Sequence, residues 1–241
     1  MKDLIVVPTS MELNLLASVG TPISNQCAVE LCGFGPIASA AKVSQLLAGN
    51  RYHRVLLIGI AGTYNEARLP VGSSTTFNQV HCDGVGIGAG KSFQSAAKLG
   101  WSQIESNSEV TGNSADSDAA VPDRDSSQRL FPSIGDSLRL NANHLSNAND
   151  EKHLLTCCSA SSDQQEASNR INRFPQAIAE DMEGFGVAIA CQLHDVPLRI
   201  IRGISNRVGD RDHLRWKIKP AMTSASKLAI KELNSDWIHG I

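Results

Sequence analysis

The stretch at residues 173–212 constrains the fold more than any other part of the chain. A short apolar run at 177–179 ends in acidic residues, and the almost entirely apolar segment 184–193 that follows is typical of a buried helix. Residues 198–204 are apolar and β-branched, as in a central strand, and lead into a polar turn. The stretch therefore predicts a strand, a buried helix and a second strand, with polar side chains at the strand ends.

The rest of the chain continues this alternation of strands and helices. Apolar or β-branched runs predict further buried strands at residues 4–8, 27–32, 55–60 and 153–158. Helical patterns follow the first of these strands and occupy residues 36–49 and 219–237. The alternation predicts a three-layer α/β fold, in which a mostly parallel, twisted central sheet carries helices on both faces.

Composition limits the kind of protein this chain can be. Its 241 residues suffice for one large α/β domain, and a net charge of -2 gives no sign of a nucleic-acid-binding surface. No apolar run approaches the roughly 20 residues that span a bilayer, and the N-terminus resembles a first strand rather than a signal peptide. The six cysteines form no CxxC pair and no zinc spacing with histidine, so we predict a reduced, cytoplasmic protein without a metal.

Residues 101–150 differ in composition from their surroundings. Ser, Asn, Asp and Gly dominate there, and few apolar residues recur with any period. Such a segment could not bury a core of its own, so we predict mostly long loop rather than a second domain. We therefore interpret residues 1–241 as one domain with a divergent polar segment at about 101–150.

Four residues suited to ligand chemistry fall at predicted strand ends: Glu12, Gly62, Glu183 and Asn206. In open α/β sheets, ligands bind in the crevice outside the strand ends. Taken singly, Glu12 could be a first-turn helix acid and Asn206 a turn residue. Their convergence on one edge of the sheet is what indicates a site.

The sequence FPQAIAEDMEG, followed by RGISN, resembles sequences of the nucleoside phosphorylase and nucleosidase superfamily. The longer sequence EDMEGFGVAIAC, with RGISNRVGDRD and the following Trp216, is most similar to those of futalosine hydrolases. The resemblance is dense over residues 173–221 and thinner over 4–62. It implies hydrolysis of the N-ribosidic bond of futalosine on a menaquinone pathway, with release of hypoxanthine. It also implies a small-molecule purine nucleoside as partner and a homo-oligomer, as is usual among relatives.

The resemblance implies a role for each site residue. Met182 and Glu183 correspond to the Met-Glu pair that binds ribose, and Gly62 belongs to the GIAG turn beside that sugar. Glu12 corresponds to the residue that holds the attacking water, and Asn206 to the one that binds the purine. The transition state resembles an oxocarbenium ion, which the Glu183 carboxylate would stabilise. Asn206 would act as the donor that takes up the charge on the departing purine.

Asn206, which follows Ser205 in the ISN run, indicates which purine is bound. An ionised Asp only accepts hydrogen bonds, whereas an Asn amide donates and accepts at once. That pattern suits hypoxanthine or guanine and disfavours a methylthioadenosine-type nucleosidase. We include Ser205 among the candidate substrate-binding residues.

Water is the expected nucleophile. A phosphate dianion needs cationic partners, and no Lys or Arg lies between Lys2 and Lys42, a span that includes Glu12. Two alternatives remain open besides hydrolysis: a 6-oxopurine nucleoside phosphorylase and a non-catalytic purine-nucleoside-binding module. No nucleotide-cofactor fingerprint occurs, so we expect no cofactor.

The turn after Asn206 contains two candidates for the benzoate-bearing tail that distinguishes futalosine from inosine. Arg211 lies between Asp210 and Asp212, which favours a surface cluster of mutually paired charges. Arg207 has no acid directly beside it. The sequence therefore favours Arg207 as the tail contact.

Overall fold

A computed structural model describes residues 1–18, 27–106, 132–140 and 151–235 of the chain. Its helices are α1 (Ser10–Ser18), α2 (Pro36–Gly49), α3 (Gln164–Arg173), α4 (Gly184–Leu193) and α5 (Ile218–Leu233). Its strands are β1 (Lys2–Val7), β2 (Cys27–Leu31), β3 (Tyr52–Thr63), β4 (Ser74–Thr76), β5 (Gln79–Asp83), β6 (Gly86–Ile87), β7 (Gln94–Ser95), β8 (Ser137–Arg139), β9 (His153–Cys157), β10 (Ala177–Asp181) and β11 (Leu198–Arg207).

Nine of the described strands form one mixed sheet, and β6 pairs with β7 in a separate ribbon. The sheet runs β2-β1-β3-β10-β9-β5-β8, while β11 pairs with β3 and β4 pairs with β11. Among the described strands, five of its pairings are parallel, and three, β3 with β10, β4 with β11 and β5 with β8, are antiparallel. The predicted α/β fold around a mostly parallel sheet is confirmed.

Helices cover both faces of the sheet because successive strand residues point to opposite sides. In β1, Leu4 and Val6 belong to the core cluster that includes side chains of α2 and α4. Ile5 and Val7 belong to a second cluster with side chains of α1 and α5. Burial on both faces explains why this strand reads as an uninterrupted apolar run.

The long strand β3 leaves part of one edge open. β1 runs parallel to it only as far as Leu57, and β10 pairs antiparallel with it only at Gly62 and Thr63. Because β11 lies along the other edge over residues 55–63, β1 and β10 share one edge and leave an opening between them. We call this opening, beside residues 58–61 of β3, the β3 gap.

A glycine brings α4 close to α2 next to the β3 gap. A Cβ at Gly186 would lie 2.2 Å from the carbonyl oxygen of Pro36 and 2.7 Å from Oγ of Ser39. The Ser39 hydroxyl also donates to the carbonyl of Glu183, at 3.3 Å. The close approach of the two helices therefore places Glu183 beside the turn that precedes α2.

Most of the polar segment predicted at 101–150 lies outside the described residues, at 107–131 and 141–150. Its described part contains one short strand that the sequence did not predict, β8, which pairs with β5. Buried Ile134 and Leu140 supply apolar contacts on either side of this short strand. The last helix ends at Leu233, and the predicted residues 236 and 237 lie outside the described part.

Candidate active site

A cavity of about 280 Å³ lies at the β3 gap, where several strands end. The structure brings together Glu12 after β1, Gly62 in β3, Glu183 after β10 and Asn206 in β11, all of which line it. Three of these side chains are almost fully buried, with 3% (Glu12), 4% (Glu183) and 7% (Asn206) exposure. The cavity is therefore built from residues that lie far apart in the chain.

Met182 and Ser205 also line the cavity, but Arg207 does not. The pairing of β11 with β3 shifts between Ile204 and Asn206, so Ser205 is an extra residue in a bulge. The bulge lets two consecutive side chains, Ser205 and Asn206, line the cavity. Arg207 is then turned outward, with its side chain 68% exposed and its Nε 3.6 Å from Oε2 of Glu66.

Glu12 occupies the β3 gap in place of a neighbouring strand. Its Oε1 accepts a hydrogen bond from the backbone N–H of Ile60 at 2.9 Å, and its Oε2 accepts one from the Thr9 hydroxyl at 2.6 Å. A first-turn acid acting only on the helix dipole could bind Thr9 but would not bind Ile60, which lies 48 residues away. The carboxylate is thus held rigidly at the inner wall of the cavity.

Arg202 is a site residue that the sequence reasoning did not select. It pairs with Gly59 in the parallel register of β11 and β3, and a Cβ at Gly59 would lie only 2.1 Å from its Nη1. The same Cβ would lie 2.8 Å from Oε1 of Glu12. The absence of a side chain at Gly59 therefore lets the guanidinium cross β3 and approach Glu12. An arginine within the apolar run of one predicted buried strand, together with a glycine within the apolar run of another, is the signal that could have indicated this.

The guanidinium of Arg202 ends between two further carboxylates. It donates to Asp181 through Nε and Nη2, and Nη2 lies 3.2 Å from Oε2 of Glu183. Its Nη1 is buried without a hydrogen-bond partner among the described residues. One cation is thus shared by two carboxylates, while the NH2 group at Nη1 has no acceptor among the described residues.

Asp181, rather than Glu183, accepts the side-chain hydrogen bond at the start of α4. Asp181 accepts hydrogen bonds from the N–H of Gly184 at 2.9 Å and from the Thr156 hydroxyl at 2.6 Å. Glu183 stands at the N-cap position but makes no side-chain capping bond. Its Oε1 instead accepts from the N–H of Gly35 at 3.0 Å. Its carboxylate therefore lines the cavity, held from two sides.

Burial raises the pKa of Glu183 to about 7. The charge of Arg202 and the N–H of Gly35 oppose the rise, while the carboxylates of Asp181 and Glu12 reinforce it. Hence this carboxyl group, unlike an ordinary exposed glutamate, changes its charge near neutral pH.

The amide of Asn206 is oriented by its neighbours. Its Oδ1 accepts from the Ser205 hydroxyl at 2.7 Å, and its Nδ2 donates to the carbonyl of Arg207 at 2.8 Å. An amide has two N–H groups and two acceptor sites. One donor and one acceptor therefore remain for a ligand in the cavity.

In the part of the chain that the structure describes, no group of three or more His, Cys, Asp or Glu side chains could hold a metal ion. All six cysteines are free thiols, and four of them, Cys32, Cys82, Cys157 and Cys191, are buried. No helix within the described ranges is both long enough and apolar enough to cross a membrane.

The fold and the cavity define an α/β protein whose ligand site is built at strand ends around buried carboxylates. A model of the phosphorylase superfamily matches residues 19–234. Because this match covers most of the chain, the chain belongs to the phosphorylase superfamily, which confirms the resemblance seen in the sequence.

Two curated relatives are futalosine hydrolases. The chain is 50% identical to the enzyme of Streptomyces coelicolor over 52 residues, which are 22% of this chain and 22% of the relative. It is 36% identical to the enzyme of Acidothermus cellulolyticus over 84 residues, which are 35% of this chain and 34% of the relative. The matched segments thus span about a third or less of either relative.

Solved structures with the same fold cover nearly the whole chain. A 5′-methylthioadenosine/S-adenosylhomocysteine nucleosidase from Colwellia psychrerythraea, in complex with adenine, has a TM-score of 0.66 at 16% identity, covering 100% of this chain and 96% of that one. Futalosine hydrolase of Helicobacter pylori has a TM-score of 0.65 at 12% identity, covering 97% of each chain. At such identities the likeness establishes the fold, and function must be argued from the site.

The raised pKa of Glu183 predicts how the stability of the protein depends on pH. Because its pKa is about 7 in the folded state against an ordinary 4.5, this group favours folding most below pH 4.5. That contribution is lost as pH rises through 7. Glu183→Gln should remove this part of the pH dependence of the free energy of unfolding. A carbon-13 NMR titration of labelled glutamates should show one carboxyl group near 7 that is missing in Glu183→Gln. A Glu183 resonance titrating at 4.5 would contradict the prediction.

Proposed function

We propose that this protein hydrolyses the N-ribosidic bond of futalosine and releases hypoxanthine. The observation that carries the proposal is the pair of buried carboxylates, Glu12 and Glu183, on the wall of one cavity with the guanidinium of Arg202 between them. The similarity of parts of the chain to two futalosine hydrolases supports the choice of substrate.

The proposed chemistry gives each carboxylate a different task. The ionised carboxylate of Glu183 binds the ribose hydroxyls and stabilises the positive charge that develops as the bond between C1′ and the purine nitrogen breaks. Glu12 orients the attacking water and takes its proton while the new C1′–O bond forms. The departing purine takes its proton from solvent.

The purine is held by Asn206 in this proposal. The free N–H of its amide donates to the carbonyl oxygen of hypoxanthine, and the free acceptor site of Oδ1 takes the adjacent ring N–H. Ser205 supports this arrangement because its hydroxyl already binds Oδ1. Gly62 and Met182, which also line the cavity, would contact the sugar.

The distribution of cations supports water rather than phosphate as the nucleophile. Among the described residues, Arg211 is the one Lys or Arg in the cavity lining, and it is exposed. Arg202 is buried and already bound to Asp181 and Glu183. A phosphate dianion needs cationic donors of its own, and beside Glu12 it would also meet a carboxylate.

We further propose that the enzyme works in the cytoplasm, without a cofactor and as a homo-oligomer. Six free thiols suit a reducing compartment. Exposed apolar side chains at the end of β2 and the start of α2, Leu31, Phe34 and Ile37, offer a surface for a second copy of the chain.

A product assay tests the proposed reaction. The purified protein is incubated with futalosine, inosine or methylthioadenosine, each with and without phosphate, and the released base and sugar are identified. We expect hypoxanthine from futalosine at a rate that does not depend on phosphate, together with a free rather than phosphorylated sugar carbon. A phosphate requirement would indicate a phosphorylase, and adenine release from methylthioadenosine alone would indicate the other nucleosidase. Tight binding without turnover would indicate a binding module.

Substitution of either carboxylate should abolish most of the activity. Glu183→Gln should lower kcat by at least about 100-fold, because the carboxylate charge is lost where cationic character develops. Glu12→Gln should lower kcat similarly while product binding is nearly kept, since the residue acts on water. Steady-state kinetics and equilibrium binding of hypoxanthine would measure both effects.

Glu180 provides a matched control for these variants. It too is a buried carboxylate in the cavity lining, but it is bound by Ser161, Tyr64 and Arg170. Glu180→Gln should lower the melting temperature because a buried ion pair is broken, yet keep kcat within about tenfold of wild type. Equal losses of kcat in all three variants would mean that the effect is on folding and not on chemistry.

The proposed role of Asn206 predicts a change in base preference. Asn206→Asp replaces a donor with an acceptor, so the ratio of kcat/KM for inosine over adenosine should fall by about tenfold. Ser205→Ala is the matched control, since it removes the partner of Oδ1 but keeps the amide. It should slow both substrates without reversing the preference. An unchanged ratio in Asn206→Asp would show that this residue does not bind the base.

A further inference from the structure

The charges around the cavity are separated in space. Four carboxylates line it, those of Glu12, Glu180, Asp181 and Glu183, and all of them are buried. Arg211, the one Lys or Arg in the lining within the described residues, is exposed to solvent. The inner wall is therefore acidic, whereas a cation stands at the solvent side of the same cavity.

The acids beside Arg211 in the sequence do not neutralise it. Asp210 and Asp212 both bind Arg215 instead, at 3.0 Å and 3.1 Å. Over the ranges that the structure describes, Arg211 forms no ion pair. The sequence-based interpretation of a cluster in which Arg211 pairs with its neighbours is therefore wrong, because the turn directs both carboxylates to Arg215.

Arg211 is instead positioned by an aromatic side chain. Its Cζ lies 5.1 Å from the centre of the Trp216 ring. The indole N–H donates to the carbonyl of Asp210 at 3.0 Å, and the ring of His213 stacks on it at 4.4 Å between centroids. A cation–π contact holds the guanidinium without using its N–H donors. Its fork of donors remains available for a carboxylate.

We propose that Arg211, held over Trp216, binds the carboxylate of an aromatic acid attached at the 5′ side of the substrate's ribose. This inference rests on the proposed function, in which Glu183 holds the ribose hydroxyls and Asn206 the purine. The 5′ substituent then extends into the rest of the cavity, where Arg211 is the available anion-binding group. Futalosine carries a benzoate on this side, and a carboxylate fits the planar donors of arginine in a bidentate manner.

The assignment differs from the one that the sequence favours. Arg207 lies outside the cavity lining, is 68% exposed and is 3.6 Å from a carboxylate oxygen of Glu66. Arg211 lines the cavity and forms no such pair within the described residues. Arg207 is therefore the matched control, an exposed arginine of the same turn that the inference does not use.

Kinetics on two substrates separate the two arginines. Arg211→Ala should raise KM for futalosine by about tenfold or more, with a much smaller change for inosine, which lacks the tail. Arg211→Lys keeps the charge but loses the planar pair of donors, so its KM for futalosine should lie between those of wild type and Arg211→Ala. Arg207→Ala should leave both KM values within about twofold of wild type. If inosine is not turned over, its inhibition constant replaces KM.

The outcomes distinguish the subsite from the reaction. If wild type releases hypoxanthine from futalosine, then an unchanged KM in Arg211→Ala, or an equal rise for both substrates, overturns the subsite alone. A rise of KM for futalosine but not for inosine in Arg207→Ala overturns the subsite as well. If wild type releases no hypoxanthine from futalosine, both the proposed function and the subsite are refuted. Added salt should weaken futalosine binding more in wild type than in Arg211→Ala, since an exposed ion pair is screened.

Discussion

The site depends on one buried guanidinium. Arg202 is completely buried in β11, and its charge is shared by Asp181 and Glu183. Carboxylates placed this deep would repel each other and lose their hydration, a cost that only a nearby cation offsets. Burial raises the pKa of Glu183 to about 7, because the charge of Arg202, which is shared with Asp181, offsets the loss of hydration only in part. In the proposed reaction, the same shortage of positive charge would favour a ligand that becomes cationic.

The position of that guanidinium depends on the interrupted strand pairing along one edge of β3. An unbroken neighbour along β3 would have satisfied the N–H of Ile60 and closed the space that the cavity occupies. Instead, β1 stops at one end of the β3 gap and β10 starts at the other, and Glu12 accepts the hydrogen bond of Ile60. Gly59 then leaves room for Arg202 to cross the strand. The acidic wall is thus built where regular strand pairing is interrupted.

Much of the fold could be predicted because the responsible signals are local. Strands buried on both faces, such as β1 and β11, are continuous apolar runs, and α4 is an apolar helix because it packs between the sheet and α2. Strand β8 was missed since an edge strand of three residues within a polar segment has almost no periodicity to detect. The separation of β1 from β10 could not be predicted either, as it depends on which strands become neighbours.

By itself, the sequence determined the alternation of strands and helices and the presence of Glu12, Glu183 and Asn206 at strand ends, because a strand end and its polar residue are adjacent in the chain. Only the tertiary structure decided which other side chains contact these residues and which arginines line the cavity. Arg202 reaches Asp181 and Glu183 because its register partner is Gly59, and a bulge at Ser205 turns Arg207 away from the cavity. Arg211 lines the cavity without an ion pair among the described residues, and its neighbouring acids bind Arg215. The first two outcomes depend on strand pairings that exist only when the chain folds, and the third depends on the conformation of the turn after β11.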